Sequence, residues 1–125
     1  RSRGLGDVYK RQYESLALKY RYAIEQLSAV TGRAFTTLHV LGGGTKDRLL
    51  CQMTADCCGL TVKAGPVEAT ALGNIMIQLK ALGLLDSITQ GRRLIAETEV
   101  IKTYTPSTQN YAEWNAAYDR FKTLL

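Results

Sequence analysis

The sequence predicts an α/β fold with short parallel strands and about five helices, on three observations. An apolar run, Thr37-Leu38-His39-Val40-Leu41, ends in Gly42-Gly43-Gly44 and passes through Thr45-Lys46-Asp47 into a helical pattern. Such a run, bounded by glycine, reads as a short buried strand. A second short strand, Leu60-Thr61-Val62-Lys63-Ala64, follows that helix, and strand–helix–strand order implies a parallel pair. The remaining segments carry apolar residues at spacings of three and four, each followed by a glycine or proline stop.

The N-terminal residues 1–12, RSRGLGDVYKRQ, lack apolar periodicity and hold two glycines. They read as a non-native or disordered leader, resembling translated linker sequence, and are set aside from the fold. The chain does not begin with Met, which reads as a fragment. The first helix is expected from Tyr13 to about Thr31. Leu16, Tyr20, Ile24, Leu27 and Val30 would form its inward stripe, and Gly32 its stop.

The first strand spans about Phe35–Leu41, and the second helix about Asp47–Cys58. Leu49, Leu50, Met53 and Cys57 give that helix an apolar face, and Gly59 ends it. After the second strand, Pro66 is suited to the first position of a third helix, where its missing N–H costs nothing. That helix should run to about Leu82, with Leu72, Ile75, Met76, Leu79 and Leu82 inward and Gly83 as its stop. Its only charges are Glu68 and Lys80, which suggests burial on more than one side. Ala69, Ala71 and Gly73 would admit a neighbouring element closely.

Asp86–Thr98 reads as a weaker helix interrupted by Gly91, and Glu99–Tyr104 as an extended segment stopped by Pro106. About Asn110–Leu125 forms the last helix. Tyr111, Trp114, Tyr118, Phe121 and Leu125 make an aromatic stripe, and Ser107, Thr108 or Asn110 are placed to cap it.

Composition narrows the function. With 46% hydrophobic residues the chain is globular. No apolar run approaches the roughly 18–20 residues that span a bilayer, and no secretory signal is evident. The net charge of +5 invites a nucleic-acid reading. Its distribution argues against one, because Arg1, Arg3, Lys10 and Arg11 stand in the leader against Asp7 alone, and the rest is nearly balanced. Cys51, Cys57 and Cys58 are odd in number and lack the spacing of a disulfide framework. They read as reduced thiols in a cytoplasmic chain, although the adjacent pair allows a strained disulfide. A single histidine leaves no zinc pattern.

One stretch carries chemistry. Three consecutive glycines, Gly42, Gly43 and Gly44, leave main-chain N–H groups bare and permit positive φ. The helix that follows turns the positive end of its dipole toward them, which favours a phosphate. The stretch is not a P-loop, which needs Gly-Lys-Ser/Thr at the helix start. Nor is it a Rossmann fingerprint, because Asp47 stands where the third glycine belongs. From the pattern alone, a tight strand-to-helix connection without ligand competes evenly with a nucleotide-contacting turn. No catalytic constellation is evident. His39 lies within the strand and reads as a core or edge histidine. Glu68 gains from the third helix's dipole, and no spacing pairs it with Asp56 as acid and base.

Three pieces together carry a resemblance: Leu41-Gly42-Gly43-Gly44-Thr45-Lys46-Asp47-Arg48-Leu49-Leu50-Cys51-Gln52, then Thr54-Ala55-Asp56-Cys57-Cys58-Gly59, then Ala64-Gly65-Pro66-Val67-Glu68-Ala69-Thr70-Ala71-Leu72-Gly73-Asn74-Ile75. The chain resembles the C-terminal region of the FGGY carbohydrate kinases over about residues 14–125. The resemblance implies an actin-like (ribonuclease H-like) ATPase domain, with residues 13–125 its C-terminal part. ATP, carried as its Mg²⁺ complex, and a sugar would be the ligands of the intact parent, and the missing N-terminal domain this region's partner. Gly42, Gly43, Gly44 and Asp47 would be the nucleotide-binding residues. Asp47 stands where many members have Asn. The family's catalytic aspartate and phosphate-binding hairpin lie upstream, so this region would hold no catalytic residue and no metal ligand, and would be inactive alone. L-Rhamnulose is the sugar implied first, with glycerol, a pentulose or gluconate as alternatives. A non-enzymatic nucleotide-binding module is the reading from another class.

Overall fold

A computed structural model of the chain describes residues 2–42, 45 and 47–125, residues 2–7 by their backbone alone. The elements in order are α1 (Ser2–Thr31), β1 (Thr37–Val40), α2 (Arg48–Cys58), β2 (Thr61–Ala64), α3 (Ala69–Ala81), α4 (Ile88–Thr98), β3 (Lys102–Tyr104) and α5 (Tyr111–Thr123). The three strands form one sheet in the order β1-β2-β3. Thr61 N–H donates to the Thr36 carbonyl at 3.1 Å, and Gly65 N–H to the Val40 carbonyl at 2.9 Å. The offset is the same at both ends, so β1 and β2 are parallel, as the strand–helix–strand order requires.

Two compact units divide the chain. The first comprises residues 1–38, 48–62 and 104–125, and the second residues 39–47 and 63–103.

In the first unit, α1, α2 and α5 pack on one another. Ala17, Met53 and Cys57 are buried at its centre, with Tyr13, Leu18 and Trp114 packed against them. The inward face of α1 therefore runs through Tyr13, Ala17 and Leu18. The expected stripe is corrected: Tyr20, Leu27 and Val30 are exposed. A methyl-sized residue at position 17 lets α2 approach, which the longer side chains of the other face would prevent. α1 also starts at Ser2 rather than near Tyr13. No proline interrupts residues 2–12, and a helical glycine costs only about 1 kcal/mol.

α2 buries Cys51, Met53, Thr54, Ala55 and Cys57, while Leu49, expected inside, is exposed. None of the three cysteines is in a disulfide. β1 is half-buried rather than buried, and His39 is exposed on this edge strand. α5 is organised by Tyr118, which is 2% exposed. The flanking Tyr111 and Leu125 face solvent, so the aromatic stripe is buried only at its middle. Asn110 occupies the N-cap of α5 without a side-chain capping bond.

In the second unit α3 packs on α4. The expected start of α3 at Pro66 is corrected, because the helix begins at Ala69. Pro66 follows Gly65 through a cis peptide bond, and its carbonyl accepts the Gly42 N–H at 3.4 Å. That residue thus joins the end of the strand pair instead of opening the helix. Burial of α3 on more than one side is also corrected. No residue of the helix is buried, and Ile75 and Leu82 are exposed. The close approach falls elsewhere than expected: nothing lies near Gly73, whereas Met76 packs directly on Gly91 of α4. Gly91 is thus the point where α4 receives α3, and the helix continues through it. Ser87 caps α4, its hydroxyl accepting the Gln90 N–H at 3.1 Å.

Candidate nucleotide-contacting recess

β1 ends at Val40, and Gly42 turns the chain with a φ of +79°. A side chain there would be strained, so the sequence supplies glycine and the main chain stays bare. The turn is closed from within, because the Thr45 hydroxyl donates to the Gly42 carbonyl at 2.8 Å and Thr45 is buried. From across the strand pair, the Gly42–Pro66 bond fixes Gly42 beside the segment that leads into α3. A Cβ added to Gly42 would lie 4.0 Å from the Val67 carbonyl oxygen.

Leu41, Gly42, Val67, Glu68, Ala69 and Thr70 line a recess of about 220 Å³ at this place. Its walls are the glycine turn on one side and the N-terminal end of α3 on the other. Glu68 occupies the N-cap of α3 and makes no side-chain capping bond. The recess therefore combines bare main chain, a helix's positive end, a threonine hydroxyl and an exposed carboxylate. Such a set suits a polar, uncharged ligand part with hydroxyl or amino donors. A phosphate directly against Glu68 would meet repulsion.

Of the residues the sequence nominates, Gly42 lines the recess. Gly43 and Gly44 lie outside the described residues. Asp47 is half-buried and immediately precedes Arg48, the first residue of α2. Glu68 and Thr70, which the sequence does not nominate as nucleotide-binding, also line the recess. The signal for them is the run Ala64–Ile75, the most specific piece of the resemblance, in which both residues stand.

Asp56 has a different use. Its Oδ1 accepts the Ser107 N–H at 2.7 Å and the Gln52 Nε2 at 2.8 Å, and Gln52 Nε2 also reaches the Thr105 carbonyl at 2.8 Å. These bonds clamp the segment entering α5 onto α2. Cys57 and Cys58 share a hydrogen bond that favours the thiolate on Cys57 and holds Cys58 protonated. The Arg21 charge adds to the lowering at Cys57, and burial opposes it. A groove of about 430 Å³ on the first unit is lined in part by Glu14, Asp56, Trp114 and Arg120. Its charges have both signs, and neither Gly42 nor Asp47 lines it. Among the described residues no group of three metal-ligating side chains occurs, and no helix is long and apolar enough to cross a membrane.

Comparison with known proteins agrees with the resemblance. Residues 1–82 match the model of the FGGY family of carbohydrate kinases, C-terminal domain. A rhamnulokinase of Bacteroides thetaiotaomicron is 46% identical over 120 residues, covering 96% of this chain and 24% of that protein. Rhamnulokinases of an Enterobacter species and of Klebsiella pneumoniae are 41% and 42% identical, covering 86% and 76% of the chain and 22% and 20% of theirs. The chain thus spans about a quarter or less of the length of the curated relatives it matches. Among solved structures, a xylulose kinase from Rhodospirillum rubrum superposes with a TM-score of 0.69 at 22% identity, over 95% of this chain and 24% of that one. That likeness shows the fold, the actin-like α/β arrangement expected from the sequence.

Proposed function

Because the chain belongs to the FGGY family of carbohydrate kinases, we propose that it is the C-terminal part, residues 13–125, of an ATP-binding domain. The intact parent transfers the γ-phosphate of ATP to L-rhamnulose in the cytoplasm, where reduced cysteines persist. Relatives at 41–46% identity that are named rhamnulokinases support the sugar. This chain supplies one wall of the ATP site.

The observation that carries the reading is the recess at Gly42. At about 220 Å³ it is smaller than the roughly 300–1,000 Å³ of a pocket that takes a whole ligand. It therefore holds one part of the nucleotide. The carboxylate of Glu68 and the bare turn suit the adenosine part, whose hydroxyl and amino groups donate. Asp47 accepts from a ribose hydroxyl or the adenine amine, and would repel the triphosphate. Mg²⁺, which neutralises phosphate charge when bound with ATP, is held by groups outside this chain. So are the phosphate-binding hairpin and the aspartate that takes the sugar's proton. The chain alone is inactive. Transfer rests on positioning the two substrates and on neutralising charge as the domains close.

The test is a bulky substitution at the turn of the intact kinase. Gly43→Val should raise the KM for ATP at least tenfold and leave the KM for L-rhamnulose nearly unchanged. Equal changes in both would mean that the turn does not face the nucleotide.

A further inference from the structure

Among the described residues two polar side chains are buried, Thr45 and Thr54. Thr54 stands in α2, and its hydroxyl donates at 2.7 Å to the Leu50 carbonyl one turn earlier, an ordinary bond within a helix. Thr45 stands between β1 and α2, and its hydroxyl donates at 2.8 Å to the Gly42 carbonyl. Burying a hydroxyl costs free energy unless it is bonded, whereas a valine would fill the same space without that demand. The threonine is therefore explained by its bond and not by its volume. That bond completes the fixing of Gly42. Its N–H donates to the Pro66 carbonyl at 3.4 Å, and its own carbonyl accepts from Thr45. With both main-chain groups engaged and a φ of +79°, Gly42 keeps one orientation at the edge of the recess, because a planar peptide whose carbonyl is tied cannot swing. Thr45 is not among the residues that line the recess.

We propose that Thr45 is a positioning residue for the nucleotide, its hydroxyl presetting the Gly42 turn in the shape that receives the adenosine part. The bond spans two further glycines in sequence, and glycine loses more conformational freedom on ordering than any other residue. A turn already tied at its two ends loses less entropy when a ligand arrives, so the tie acts on nucleotide affinity. The hydroxyl spends its one proton on Gly42, so its effect on the nucleotide passes through the main chain. The inference rests on the nucleotide reading of the recess and adds to it a residue that does not touch the ligand.

The test is made in the intact kinase, with Gly43→Val as the reference. Thr45→Val exchanges the hydroxyl for a methyl. It should raise the KM for ATP about five- to tenfold, the effect of losing one neutral hydrogen bond, and leave kcat and the KM for L-rhamnulose within about twofold. Thr45→Ser keeps the hydroxyl and should hold the KM for ATP within about twofold of wild type. A merely structural threonine would lower the Tm without separating the two KM values. If Thr45→Val does not yield folded kinase, Thr45→Ala, which removes the hydroxyl without adding bulk, is read in the same way. A KM for ATP that is unchanged by Thr45→Val and raised by Gly43→Val overturns the proposal and leaves the nucleotide reading standing. Equal rises in both KM values overturn it, as does a Thr45→Ser variant that behaves like Thr45→Val. If neither Thr45→Val nor Gly43→Val changes the KM for ATP, the nucleotide reading falls with it.

Discussion

The Tyr118 hydroxyl donates a 2.9 Å hydrogen bond to Glu25, joining α5 to α1 across 93 positions of sequence. The Arg21 guanidinium lies 4.1 Å over the Tyr118 ring, and it also donates to Glu25 at 3.0 Å and to Asn115 at 2.9 Å. One buried phenol therefore closes a loop of charge-assisted bonds between the first and last helices. This is why the aromatic C-terminal helix packs within its own unit.

Tyr118→Phe keeps the ring under Arg21 and removes only the hydroxyl. Glu25 is half-exposed and retains Arg21, so the loss should be about 1 kcal/mol. Tyr118→Ala also leaves a cavity and should cost about 3–5 kcal/mol. Urea denaturation followed by tryptophan fluorescence measures both, since Trp114 packs against the core of the same unit. Equal costs for the two variants would show that packing contributes little there.

Burial, and then the Glu25 bond, push the Tyr118 phenol up to about 12 from its ordinary 10. The fold prefers the neutral phenol. That contribution is complete below pH 10 and is lost as the pH rises from 10 toward 12. Stability of the wild-type chain should fall more steeply over that window than stability of Tyr118→Phe. Parallel profiles would remove Tyr118 as the source.

Asp56→Ala releases the Ser107 N–H and one bond of Gln52 together. The expected loss is about 1–3 kcal/mol, with faster amide exchange over residues 105–109. Asp56→Asn keeps a carbonyl acceptor and should restore most of it. If Asn behaves like Ala, the carboxylate charge matters more than the clamp.

Gly65→Ala tests the close approach beside the recess. Gly65 has a φ of +130°, and a Cβ there would sit 2.8 Å from the Val100 carbonyl oxygen. Backbone must move on one side, at about 1–3 kcal/mol. Protease sensitivity between residues 63 and 103 should rise while the first unit remains protected. Unchanged cleavage would show that the two segments can separate freely.

Much of the fold was legible because it is encoded locally. Gly32, Gly59 and Gly83 were expected as helix stops, and all three adopt positive φ. Parallel pairing of β1 and β2 followed from a crossover too long for a hairpin. The sides that helices bury were less legible. On α1 Tyr20, Leu27 and Val30 face out, while Tyr13, Leu18 and the small Ala17 face the core, because the approach of α2 selects size and position as well as hydrophobicity. At the recess, Gly42 marked one wall. The other wall stands more than twenty residues away in sequence and is brought there by strand pairing.

By itself the sequence determined the family, the order of helices and strands and the glycine turn, since these rest on residue identity and short-range periodicity. The tertiary structure alone decided that Pro66 joins the turn instead of starting α3, that Glu68 and Thr70 line one recess with Gly42, and that Tyr118 meets Glu25. Each depends on contacts between segments distant in the chain, which packing and hydrogen-bond geometry select and no local pattern specifies.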